Sequence, residues 1–134
     1  MKDLVSKIRE FHEAFGISET DRFGHVPRKR DILHYDLLIE EVEEFREACE
    51  NEDVEKIIDG IGDVIFVAVS AAVERGYAPI LEEVIMEICR ANISKSGGSI
   101  ESNVYREDGK VMRSDSYTPP DIAGIISNFI NKQQ

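Results

Sequence analysis

The sequence predicts an all-α protein with an antiparallel four-helix-bundle core, an extra C-terminal helix, a short hairpin-like segment and an oligomeric state. Three observations lead there. Apolar residues recur at helical spacing through four long stretches. Short joints of polar residues, Gly or Pro separate those stretches. Only residues 104–113 carry a hairpin turn, and their flanking strands would be short.

The first helix is expected from Asp3 to Phe15, with Leu4, Ile8, Phe11 and Phe15 on one stripe. A loop follows, holding Gly16, Gly24, Pro27 and the basic run Arg28-Lys29-Arg30. Asp31 can cap a second helix from Ile32 to Glu50, since a short carboxylate satisfies the free N–H groups of a helix start. Asn51-Glu52-Asp53 breaks the chain. A third helix then runs from Val54 to Arg75, with Gly76 just past its end. Pro79 sits near the first turn of a fourth helix that continues to about Lys95. Beyond Ser96-Gly97-Gly98-Ser99, Asp108-Gly109 fits a two-residue turn. Pro119-Pro120 precedes a last amphipathic helix from Asp121 to Ile130.

At 134 residues the chain, 1–134, reads as one domain. A domain of this size does not readily enclose a deep cleft alone, so assembly of copies is expected. A net charge of −11 repels phosphate backbones and anionic lipid, which excludes nucleic acid and membrane surfaces as partners. Cys49 and Cys89 form no ligand spacing and read as reduced thiols. Met1 to Phe11 is charged and lacks the apolar core of a signal peptide. The most apolar run, Gly60 to Val73, is too short to span a bilayer and contains Asp63. A cytoplasmic protein is expected.

Charge becomes informative by position. On a projection of the second helix, Leu38, Val42, Phe45 and Cys49 form the apolar stripe, and Glu41 falls inside that sector with Glu44 at its edge. Glu40 lies further round, while Glu43 and Glu47 point away and suit a solvated face. In the third helix only Asp63 and Ser70 are polar between Gly60 and Val73, so it should be buried nearly all round. Asp59 and Asp63 share a face one turn apart. An ionised carboxylate there is costly unless paired or bound to a cation. The alternatives are a narrow solvent stripe carrying Glu55, Asp59, Asp63 and Ser70, or an ion pair from Asp63 to an arginine of another helix. The functional reading is a shared site of clustered carboxylate oxygens, which without His or Cys suits Mg²⁺ or Mn²⁺. No Glu-x-x-His pair supports di-iron. Asn92 and Lys95 continue the stripe of the fourth helix, Leu81, Val84, Ile85 and Ile88. A lysine there either neutralises the helix end or meets a polyphosphate. Lys110, Arg106, Arg113 and Arg28 to Arg30 are further basic candidates.

Glu40-Glu41-Val42-Glu43-Glu44 followed by Asp59-Gly60-Ile61-Gly62-Asp63 resembles the paired signature, EExxE then ExxD, of the all-α MazG-like NTP pyrophosphohydrolases. Four further blocks resemble the short single-domain branch that is similar to phosphoribosyl-ATP pyrophosphohydrolase. These are Phe11 to Gly16, Ala91 to Lys95, Arg106 to Val111 and Tyr117 to Asp121. One departure stands out: the glutamate of ExxD falls at Gly60, which has no side chain, so either Asp59, one residue earlier, supplies that ligand or the site has one carboxylate fewer.

The resemblance implies metal-dependent cleavage of an NTP, or a dNTP for nucleotide-pool control, between the α and β phosphates. Alternatives are phosphoribosyl-ATP hydrolysis, or a non-catalytic helical metal- or nucleotide-binding regulator. It implies Glu41, Glu44, Asp59 and Asp63 as Mg²⁺ ligands, with Mn²⁺ able to substitute, and Glu40 or Glu41 as the group that orients or deprotonates water. Lys95 and Lys110 would contact phosphate, and Asn92 the sugar or a phosphate. His12, Phe15 and Tyr117 would line the base or sugar pocket, against the alternative of plain core packing. A homodimer or dimer of dimers is implied as well.

Overall fold

The computed structural model describes residues 1–134. It is all-helical: α1 (Lys2–Ala14), α2 (Arg28–Glu50), α3 (Val54–Glu74), α4 (Leu81–Ile93), a 3₁₀ turn at Ile100–Ser102, and α5 (Ile122–Lys132). No strand forms, and the only ladder element is an isolated antiparallel bridge between Tyr105 and Val111. None of the helices is long and apolar enough to cross a membrane. The chain falls into two compact units, Met1–Pro79 and Ile80–Gln134.

In the first unit α3 packs against both α1 and α2. The buried face of α1 is Val5, Ile8 and His12, not the expected Leu4–Ile8–Phe11–Phe15 stripe. Phe15 is 69% exposed. Both sets have helical spacing; a hydrogen bond from His12 to Ser70 of α3 turns the helix toward the first. Phe11 still packs edge-on against Phe66, with centroids 5.1 Å apart.

α2 begins four residues before the expected Ile32. Pro27 (φ −56, ψ 142) precedes it, and its carbonyl accepts from the N–H groups of Arg30 and Asp31. The basic run therefore forms the first turn of the helix. That is an unfavourable place for positive charge, and Asp31 and Glu74 offset it. Asp31 is not a cap; its carboxylate pairs with Arg75. The inward line of α2 is His34, Leu38, Glu41, Phe45 and Ala48, whereas Val42 and Cys49 of the expected stripe are exposed. Glu41 thus lies within the packing seam.

Asp53 caps α3 by accepting from the Lys56 N–H. At the other end Gly76 N–H reaches the Val73 carbonyl and Tyr77 N–H the Ala72 carbonyl, the paired bonds of a Schellman motif. α3 is buried at Gly60, Val67, Val69, Ser70, Val73 and Glu74. It is not buried all round, because Ile58, Ile61 and Ile65 are 65%, 40% and 49% exposed.

In the second unit α4 packs on α5. The α4 helix stops two residues short of Lys95, at Ile93, where the Ser94 hydroxyl turns back to the Ala91 carbonyl. Asp121 caps α5 through the Gly124 N–H. The turn near Asp108-Gly109 has three loop residues instead of two. Arg106 N–H pairs with the Lys110 carbonyl, and Gly109 N–H closes onto the Arg106 carbonyl. That geometry needs a left-handed residue at its third position, which Gly109 supplies at φ +90.

Candidate active site

The packed α2–α3 pair carries five acidic side chains, and the charges of four of them act on the fifth, Glu41. Glu40, Glu41 and Glu44 come from α2, and Asp59 and Asp63 from α3. Burial pushes the Glu41 carboxyl above its usual range, and the charges of Asp63, Glu44, Glu40 and Asp59 push it further. Its Oε2 is occluded and has no hydrogen-bond partner. Asp63 is half-buried, and no ion pair reaches it. The arginine-pair alternative is thereby removed. Glu43 does face solvent, paired with Arg46 at 3.0 Å.

Gly60 explains the missing glutamate. A Cβ at this position would lie 3.1 Å from the Phe45 Cα and 3.2 Å from its Cβ, so any side chain there would require the α2 backbone to give by a few tenths of an ångström. Two grooves flank the acidic residues. One of about 320 Å³ is bordered by Glu44, Asp59 and Asp63, and one of about 720 Å³ by Asp59, Gly62 and Asp63. Lys56 borders both. Sequence reasoning missed it, although it shares a helix face with Asp59, Gly60 and Asp63 at i+3, i+4 and i+7.

The donor set is oxygen only, and it carries an orphaned, raised carboxyl that a cation would relieve. In that chemistry it fits Mg²⁺ or Mn²⁺. No three acidic, His or Cys groups converge closely enough to grip an ion unaided.

The other expected residues are divided between the two units. His12 is 3% exposed, its Nε2 is 2.7 Å from Ser70 Oγ, and burial holds its pKa below the usual value. An imidazole in that position faces the interior of the first unit. Phe15 borders an open cleft of about 580 Å³ together with Thr20, Lys29, Arg30 and Glu74. In the second unit Asn92 is exposed and Lys95 half-buried, while Lys110 is exposed in the turn. Tyr117 lies under the Arg113 guanidinium, 4.6 Å from its ring centroid. Arg90 ties the strap carrying Tyr117 to α4, donating to the Thr118 hydroxyl at 2.7 Å and the Pro119 carbonyl at 3.0 Å. The same guanidinium and the Asp121 N–H hold the Glu87 carboxyl down at about 2.

A second polar cluster, which sequence reasoning also missed, closes the far end of α3. Glu74 is 2% exposed and accepts both Nε and Nη2 of Arg30, at 3.0 and 2.7 Å. His34 Nε2 lies 2.9 Å from the same carboxylate. Arg75 donates to His34 Nδ1 at 2.9 Å, which fixes the proton on Nε2. Burial raises the Glu74 pKa, but Arg30 and His34 outweigh it, and the net shift is downward. The sequence signal was Glu74 closing an apolar helix, with Arg30 and His34 one turn apart.

Residues 8–92 match the model of the phosphoribosyl-ATP pyrophosphohydrolase family. The matched stretch contains all five acidic residues, His12, Phe15 and Asn92, and stops before Lys95, Lys110 and Tyr117. A search of curated proteins finds no match.

Proposed function

Because this chain belongs to the phosphoribosyl-ATP pyrophosphohydrolase family, whose members act on phosphoanhydride bonds, we propose that it hydrolyses a nucleotide polyphosphate between the α and β phosphates at the α2–α3 acidic cluster. The observation that carries this is Glu41: a half-buried carboxyl, surrounded by four like charges, with an oxygen that nothing in the chain satisfies. A fold maintained for packing alone would gain stability by replacing it.

In this reading Glu41, Glu44, Asp59 and Asp63 hold Mg²⁺, with Mn²⁺ able to substitute. When bound, the cation offsets charge developing on the phosphates and lowers the pKa of an attacking water. Whichever of Glu40 and Glu41 is free of the cation orients that water and accepts its proton. Lys95 and Lys110 contact phosphate, Asn92 the sugar or a phosphate, and Phe15 and Tyr117 the sugar or base. Lys56 joins them as a phosphate contact, from its place beside both grooves. The regulator alternative rests on the ligand missing at Gly60, a glycine for which helix packing supplies a second reason. Residues 1–134 act as one functional domain. The four-helix-bundle core and the homodimer or dimer of dimers belong to the same reading, supported by the exposed Ile58, Ile61 and Ile65 face.

Two substrates compete. A dNTP fits nucleotide-pool control; the family match favours phosphoribosyl-ATP at least as well. Both end in the same α–β linkage, so the chemistry is shared. A panel of NTPs, dNTPs and phosphoribosyl-ATP, assayed for pyrophosphate in ¹⁸O water, separates them. The reading predicts one preferred substrate, cleaved to a monophosphate and pyrophosphate, and the position of the label shows which of the two phosphorus atoms water attacks. Release of orthophosphate instead, or no member turned over, contradicts it.

A further inference from the structure

A close approach of α2 and α3 lies at the level of the acidic cluster. A Cβ at Gly60 would meet the Phe45 Cα, Cβ and backbone N at 3.1, 3.2 and 3.5 Å, and none of these is the movable end of a side chain. Gly60 itself is buried. It adjoins Asp59 and lies three residues before Asp63. Phe45, across from it, adjoins Glu44 and follows Glu41 by one turn. Widening the helices at this level therefore carries Glu41 and Glu44 away from Asp59 and Asp63.

We propose that Gly60 is a positioning residue: contact of its bare backbone with Phe45 sets the interval between the α2 and α3 carboxylates, and hence how they take a divalent cation. The proposal rests on the reading of the acidic cluster as the hydrolytic site. It has a counterintuitive consequence. Gly60→Glu, which restores the glutamate of the ExxD signature, loses cation affinity instead of gaining a ligand, because the side chain must first push α2 aside.

The test compares Gly60→Ala with Gly62→Ala in the full chain. Alanine favours helix over glycine, and a Cβ at Gly62 meets nothing within 4 Å, so Gly62→Ala serves as the control for folding. Two readouts are taken: the Mg²⁺ dependence of pyrophosphate release, with kcat and KM separated, and Mn²⁺ affinity by calorimetry with inorganic pyrophosphate present. Gly60→Ala is expected to fold cooperatively and bind Mn²⁺ roughly 10–100-fold more weakly, the loss typical when residues orienting metal ligands are disturbed. Its KM for nucleotide at saturating Mg²⁺ stays near wild type. Unchanged Mn²⁺ affinity in Gly60→Ala overturns the proposal. So does failure of Gly60→Ala to fold while Gly62→Ala folds, which would make Gly60 a structural requirement only. If wild type shows no metal-dependent hydrolysis, the functional reading fails on its own, and the calorimetry still decides the positioning claim.

Discussion

The two ends of α3 treat a carboxylate in opposite ways. Glu74 is more buried than Asp63 or Glu41, yet it is fully answered by Arg30 and His34, with Arg75 fixing the His34 tautomer. About 16 Å along the same helix axis, Asp63 and Glu41 face other carboxylates and no cation of the chain pairs with them. The first arrangement is architecture: charge buried with its partners. The second leaves repulsion in the fold, which makes sense where a cation and its phosphate ligand are to be bound. Burial alone does not mark a site; burial without a partner does.

The contrast can be broken most forcefully at Glu74. Glu74→Ala leaves Arg30 and His34 without their acceptor in the interior, and about 3–5 kcal/mol of stability should be lost. Urea unfolding measures this, and a loss below about 1 kcal/mol would show the cluster to be dispensable. Its pH dependence has a definite sign. The Glu74 pKa is depressed in the folded protein, so its contribution is present above the usual carboxylate range and disappears as pH falls through the folded value.

Glu41→Gln should go the other way. The Glu41 pKa is raised, so the folded state prefers the proton, and ionisation weakens the fold as pH rises through the raised value. In chelator at neutral pH the glutamine variant should melt a few degrees higher, roughly 3 °C, and the gain should shrink toward pH 4. A thermal scan across pH checks both slopes. A lower melting temperature at neutral pH would mean that Glu41 is satisfied by something the structure does not contain.

The smallest effect compares the two helix ends. α3 is closed by Gly76, whereas α2 is closed by Glu52, held at φ +52. A side chain in the left-handed region is strained, so Glu52→Gly should stabilise by about 0.5–1 kcal/mol after the added flexibility of glycine in the unfolded chain is counted. Chemical denaturation resolves this. No gain would show that Glu52 makes compensating contacts.

Sequence patterning revealed the helices well because caps and breakers act locally: Asp53, Gly76 and Asp121 all stand where their chemistry places them. The inward position of Glu41 was legible because an acid on an apolar stripe violates the period of its own helix. What periodicity could not supply was the choice between overlapping stripes. Val5–Ile8–His12 and Leu4–Ile8–Phe11 have equivalent spacing, and a hydrogen bond to Ser70, far along the chain, distinguishes them. The start of α2 was hidden for a related reason. Three basic residues are poor helix openers, and only the distant Glu74 makes the third of them favourable. Gly60 read as a defect in a motif because a close backbone approach leaves no trace in a single sequence.

The most direct test of the account is Mg²⁺-dependent pyrophosphate release by wild type and Asp63→Asn, with matching circular dichroism and melting curves to establish that both are folded. The account predicts release by wild type that chelator abolishes and Mg²⁺ restores, and a rate for folded Asp63→Asn lower by about 10²–10³-fold, the scale of losing a central electrostatic group. Asp63→Asn hydrolysing at the wild-type rate, or wild-type release indifferent to chelator, would show that the uncompensated end of α3 is not the catalytic site.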